Sequence, residues 1–172
     1  MFIAESAADA AAVQAFSLAH RGACELFTEP QRAHCLALVS DASRDEAAWT
    51  FTPVQPLFEG GRHGPGAGEW LLCVGLWVPA DQRGEFLAWY EQEHLPILLQ
   101  CPTWDGCRFV EAPHAQGCQF FALHQLSDRA ALDSAERARS RATPWFQRLK
   151  RFEWFDQPFT RTLYRRVETN EP

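Results

Sequence analysis

The run Trp70-Leu71-Leu72-Cys73-Val74-Gly75-Leu76-Trp77-Val78 is apolar at nearly every position and stops at Pro79. An alternating strand has one dry face, whereas an unbroken apolar run of this length has two. The fold must therefore cover this strand from both sides. Immediately before it, Glu59 to Gly68 holds five glycines and a proline, a composition that reads as a linker or a long surface loop.

The residues after Pro79 supply one cover. From Gln82 to Gln100, the residues Phe86, Trp89, Tyr90, Glu93, His94 and Ile97 recur at helical spacing and share one face, with Asp81 placed to cap the helix. Cys107 to Val110 and Gln119 to Leu126 read as strands joined by a turn through Pro113 to Gly117. Ser127-Asp128 caps a second helix from Arg129 to about Ala142, Thr143-Pro144-Trp145 starts a further helical stretch, and Phe159 to Val167 reads as a closing strand. The order β-α-β-β-α-β predicts an α+β fold, a ferredoxin-like module with both helices on one face of an antiparallel sheet. Its other face stays apolar, and a second copy of the same sheet is the usual cover.

That copy has a candidate within the chain. Cys24 to Pro30 and Cys107 to Pro113 share Cys, two apolar positions and Pro at a constant offset, which Cys35 and Cys118 keep. The expected division is a degenerate ferredoxin-like half over residues 1–58 with a truncated first strand, a Gly-rich linker over 59–68, and a complete module over 69–172. The alternative is an unrelated N-terminal extension, with the sheet covered by another chain in a homodimer.

Composition narrows the function classes. The net charge of −6, with basic residues interleaved among acidic ones, argues against a nucleic-acid partner. No segment approaches the roughly 18 uninterrupted apolar residues of a membrane span, and residues 1–12 lack the early Lys or Arg of a targeting peptide, so a cytoplasmic protein is expected. The six cysteines show no Cys-x-x-Cys and no Cys/His pair of zinc spacing, so reduced thiols and no metal are expected.

The run Trp89-Tyr90-Glu91-Gln92-Glu93-His94-Leu95-Pro96, followed by Pro102-Thr103-Trp104 and Arg108-Phe109, resembles the helix motif and following strand of EthD-like dimeric α/β-barrel proteins. Thr103 stands where that family carries glycine. The resemblance covers roughly residues 69–167 and implies ferredoxin-like sheets paired into a barrel, with the helix His near a cavity. It also implies cofactor-independent chemistry on small aromatic or polyketide-like molecules: lyase, decarboxylase or cyclase reactions, or cofactor-free oxygenation. A barrel that only binds a small molecule, or serves in stress, is the non-catalytic alternative.

The residues carry a matching chemistry. An imidazole in an apolar pocket can exchange a proton with an enol, phenol or carboxylic acid, and a phenol can donate to the oxygen where charge develops. His94, Tyr90 and Glu93 are accordingly the catalytic candidates. Trp89, Phe86 and Ile97 on the same helix, Trp77 and His124 on strands, and Arg108 as a partner for Glu93 or a ligand carboxylate are the candidate ligand contacts. Pro96 has no N–H for the carbonyl of Gln92, so the helix is expected to be kinked one turn around His94.

Overall fold

The computed structural model describes residues 1–7, 10–20, 23–40, 48–62, 68–114 and 117–167. Among the described residues, nine strands form one sheet: β1 (Phe2–Ser6), β2 (Cys24–Thr28), β3 (Cys35–Val39), β4 (Thr50–Pro53), β5 (Gln55–Gly61), β6 (Trp70–Val78), β7 (Trp104–His114), β8 (Gly117–Leu126) and β9 (Thr160–Arg166). The helices are α1 (Ala10–Ala19), α2 (Arg83–Trp89), α3 (Leu95–Leu98), α4 (Ala135–Ser140) and α5 (Pro144–Leu149). Residues 63–67 of the expected linker lie outside the described residues. No helix is long and apolar enough to cross a membrane, among the described residues.

The strand order is β4-β1-β3-β2-β9-β6-β8-β7-β5, and every pairing is antiparallel. The last four strands of the second half run β9-β6-β8-β7, the ferredoxin-like order 4-1-3-2 of a β-α-β-β-α-β unit. The first half runs β4-β1-β3-β2, the same 4-1-3-2 pattern. Its first strand, β1, has five residues against nine in β6, and it pairs with β3 from Phe2 to Ser6 and with β4 on its other side. The two ends of the order, β4 and β5, are separated along the chain by Val54 alone.

Glu59, Gly60 and Gly61, expected in the linker, are strand residues that pair with Arg108, Cys107 and Gly106 of β7. The glycine belongs there for a reason of space: a Cβ on Gly61 would lie 2.5 Å from the Asp105 carbonyl oxygen and 2.6 Å from the Gly106 Cα. Glycine thus lets two backbones approach where its entropy alone would disfavour a strand.

Strand alternation sorts the side chains into layers. Leu71 and Cys73 of β6 join Ile3, Phe27, Leu36, Val110, Phe121, Leu123 and Tyr164 in a core built from both halves of the sheet. Leu76 and Val78 face the other way, toward Phe86, Trp89 and Tyr90 of the helical layer. The unbroken apolar run of β6 is explained by these two covers. At one end of the inner core, Glu25 of β2 is clasped between Arg108 of β7 and Arg166 of β9.

Candidate active site

The helix that carries Tyr90 and His94 is not a single α-helix. After α2, Tyr90–His94 form one turn of π-helix before α3, with the Leu95 N–H donating to the Tyr90 carbonyl five residues back. Pro96 follows with no N–H to offer, and the wider turn accommodates that loss. In a π turn, residues five apart stack along the axis, and the rings of Trp89 and His94 lie 4.4 Å apart, tilted by 31°. Tyr90 and His94 ring centroids are 5.1 Å apart.

The inserted residue also shifts the helix face. Straight α-helical periodicity predicts Glu93, His94 and Ile97 on the sheet side; the residues found there are His94, Leu95 and Leu98, one position later in each case. Glu93 is displaced to the flank, where its carboxylate accepts a hydrogen bond of 2.6 Å from the hydroxyl of Thr143. Thr143 in turn caps α5 by accepting from the Phe146 N–H, so Glu93 braces one helix against another.

Tyr90 meets His124 of β8, one of the candidate ligand contacts. The phenol oxygen lies 2.6 Å from His124 Nε2, and Trp104 donates its indole N–H to His124 Nδ1 at 3.2 Å. The indole can only donate, so Nδ1 is an acceptor and the neutral ring carries its proton on Nε2. That proton is donated to the Tyr90 oxygen. Burial holds His124 neutral, with a pKa pushed down to about 3, helped by the nearby His94 and Arg137. Tyr90 is buried and its pKa is pushed well up, so it stays a phenol. With its lone pair engaged by His124, its own O–H is left for Cys107, whose thiol it interacts with, or for an oxygen atom bound beside it.

A pocket of about 290 Å³ lies between this helix, the outer face of the sheet and the α4–α5 segment. Tyr90, His94, His124, Trp89 and Trp104 line it, with Leu72, Val74 and Leu76 of β6 as an apolar floor. His94 is neutral: burial is the main cause of a pKa lowered to about 3, Arg141 and Arg137 add to it, and the Ser140 backbone opposes it. Its Nδ1 is sealed from solvent and has no hydrogen-bond partner among the described residues. Arg137 of α4, Arg141 at its C-terminal cap, Arg161 of β9 and Asp156 complete the wall.

Several candidates lie elsewhere. Phe86 is fully buried in the aromatic cluster behind the pocket, in contact with Trp154 and Phe120. Ile97 is half-buried and outside the lining because of the π-turn shift. Trp77 follows Leu76 by one residue on β6, so it projects from the opposite face and packs on Phe159. Arg108 pairs with Glu25 and not with Glu93.

Trp104 and the three arginines are the site residues that sequence reasoning missed. The available signals were local ones: Arg137 and Arg141 are four apart and share a helix face, and Arg161 alternates in step with Leu163. Neither pattern shows that α4 and β9 border the same pocket.

Neither a family model nor a curated protein sequence matches the chain. Solved structures do. A monooxygenase-like protein from Listeria innocua is 12% identical with a TM-score of 0.66, over 99% of this chain and 96% of that one. A ferredoxin-fold protein related to antibiotic biosynthesis monooxygenases, from Listeria monocytogenes, is 11% identical with a TM-score of 0.67, over 98% and 95%. A heme-degrading enzyme from Listeria monocytogenes is 9% identical with a TM-score of 0.65, over 96% and 99%. The likeness is one of fold: this chain is a ferredoxin-like α+β protein built on an antiparallel sheet.

Proposed function

We propose that the pocket is the active site of a small-molecule enzyme that withdraws a proton from a phenol or enol and passes the electron-rich product to dioxygen. The substrate is an aromatic or polyketide-like ring. Tyr90 donates to the substrate oxygen on which charge develops, and neutral His94 accepts the proton. His124 and Trp104 hold Tyr90 in the orientation that turns its O–H toward Cys107 or toward a substrate oxygen bound in its place. In the overall oxygenation a ring methylene becomes a carbonyl: one atom of dioxygen enters the product, and the other leaves as water with the two hydrogens.

The observation that carries the reading is the chain Trp104–His124–Tyr90, which ends on a phenol in a pocket that His94 also lines. The monooxygenase-like names of the solved structures of the same fold favour oxygenation over the lyase, decarboxylase and cyclase reactions expected from the EthD-like resemblance. Oxygen uptake with electron-rich phenols and anthrone-type rings tests it. Tyr90→Phe is expected to lower kcat by about 10²-fold, as loss of one oxyanion donor does. Equal turnover without dioxygen would move the reading to lyase chemistry, and ligand binding with no turnover under either condition would leave a binding protein.

The same reading extends to the architecture. Two ferredoxin-like units, an internal duplication over residues 1–58 and 69–172, close a barrel within one chain, with the extended segment from Thr50 to Gly61 pairing to β1 at one end and β7 at the other. A homodimer, if formed by this protein in the cytoplasm, then uses a different surface from the one that closes the sheet.

A further inference from the structure

We infer that Arg137, Arg141 and Arg161 form an anion subsite of the pocket, and that its ligand is a hydroxyaryl carboxylic acid: phenol at Tyr90, carboxylate at the arginines. The pocket wall carries these three guanidiniums against one carboxylate, Asp156, in a chain whose net charge is −6. Positive charge has been gathered here against the overall balance.

Several other arginines are neutralised by a carboxylate, although Arg62 and Arg139, like the pocket three, hold none among the described residues. Arg83 is paired with Glu111, Arg148 with Glu85, Arg165 with Glu69, and Arg108 and Arg166 with Glu25. Among the described residues, Arg137, Arg141 and Arg161 hold no carboxylate in an ion pair. Arg137 is fixed by donating to the Leu132 carbonyl, and the Arg141 guanidinium stands 5.8 Å over the Phe146 ring. The three repel one another: Arg141 is among the causes that lower the proton affinity of both Arg137 and Arg161, after burial. An anion between them relieves that repulsion, and a planar carboxylate matches the forked geometry of a guanidinium.

The apolar floor and the Trp89 ring select the rest of the ligand, a flat aromatic body. A seated carboxylate would also cancel part of the charge that keeps His94 a weak base, so the substrate would raise the basicity of the group that acts on it. This inference rests on the reading of the pocket as a small-molecule site, and its test reads binding so that the two can fail separately.

The probes are 3-hydroxy-2-naphthoate and 2-naphthol, which share ring and phenol and differ by one carboxylate, with affinities measured by calorimetry and by quenching of tryptophan fluorescence. The naphthoate is expected to bind about tenfold tighter at low salt, with the advantage shrinking at 0.5 M salt as screening predicts, ~4 Å at that strength. Arg141→Gln and Arg161→Gln are each expected to remove most of the advantage, read as the ratio of the two probes' affinities in the same variant, while Arg161→Lys retains about half of it. Both positions are exposed, and thermal melting checks that the variants fold. Equal affinity for the two probes, an advantage indifferent to both substitutions, or no binding of either probe would overturn the inference. So would competition by inorganic phosphate with the same arginine dependence in the absence of naphthoate binding. Tight, arginine-dependent naphthoate binding without oxygen uptake would sustain the subsite and sink the oxygenase reading.

Discussion

Replacing Tyr90 with phenylalanine removes one oxygen atom and almost no volume, so its effect reports on the hydrogen-bond chain and not on packing. In the wild type His124 Nε2 donates to that oxygen at 2.6 Å, deep in the protein, where His124 is 3% exposed. Without it, the ring keeps its proton on Nε2, because the indole of Trp104 still requires Nδ1 as an acceptor. The variant therefore loses a hydrogen bond and strands a buried donor, at about 2 kcal/mol in total. For a domain of this size that corresponds to a fall in Tm of about 4–8 °C. Urea unfolding at pH 7 measures the free energy, and a cycle with His124→Leu isolates the pair. In the leucine background the stranded donor is absent, so Tyr90→Phe should then be nearly neutral, with a coupling of about 1–2 kcal/mol. A wild-type effect below about 0.5 kcal/mol, or one equal in both backgrounds, would refute the tautomer assigned to His124 and the chain built on it.

Three other outcomes follow from the same geometry. Leu98→Ala should destabilise by about 2–5 kcal/mol and Ile97→Ala by no more than about 1 kcal/mol, since the π turn places Leu98 in the core and Ile97 outside the lining; equal losses would restore the straight helix. Gly61→Ala should lower stability by about 2–3 kcal/mol, because the neighbouring atoms are backbone and cannot give way, and hydrogen exchange should quicken along β5 and β7 if that pairing is lost. His124 has its folded pKa below its unfolded value of about 6.5, so the unfolded chain binds more protons between the two. Stability should therefore be fully present above pH 6.5 and fall as pH drops toward 3, by about 2 kcal/mol from His124 between pH 6.5 and 5. Denaturation curves across that range measure the slope, and NMR of the ring should show no titration between pH 5 and 8.

The parts of the site that lie close together in sequence were legible there. Trp89, Tyr90 and His94 fall on one helix at spacings that any helical geometry brings together, and Pro96 announces that the geometry is disturbed nearby. What the proline leaves undetermined is how the backbone absorbs the missing N–H. A kink would have kept Glu93 and Ile97 on the sheet side, whereas the π turn moves them off it and puts Leu98 there. The choice depends on packing against Thr143 and the strands, none of which is local.

Strand composition likewise announced β6, β8 and β9, since alternation and β-branched or aromatic residues are local properties of the chain. It left open which side of the sheet each parity faces, and that decides the site: His124 and Leu76 point to the pocket, and Trp77 points away from it. By itself, the sequence of this protein determined two things. One was a strand covered on both faces; the other was a helix presenting a phenol and an imidazole together. Only the tertiary structure decided that Trp104 would fix the tautomer of His124, that the glycines at 60 and 61 would be strand and not linker, and that Arg161 would face Arg137 and Arg141. Those outcomes depend on which strands pair and which helix lies over them, and pairing between residues far apart in the chain leaves no periodic trace in the sequence.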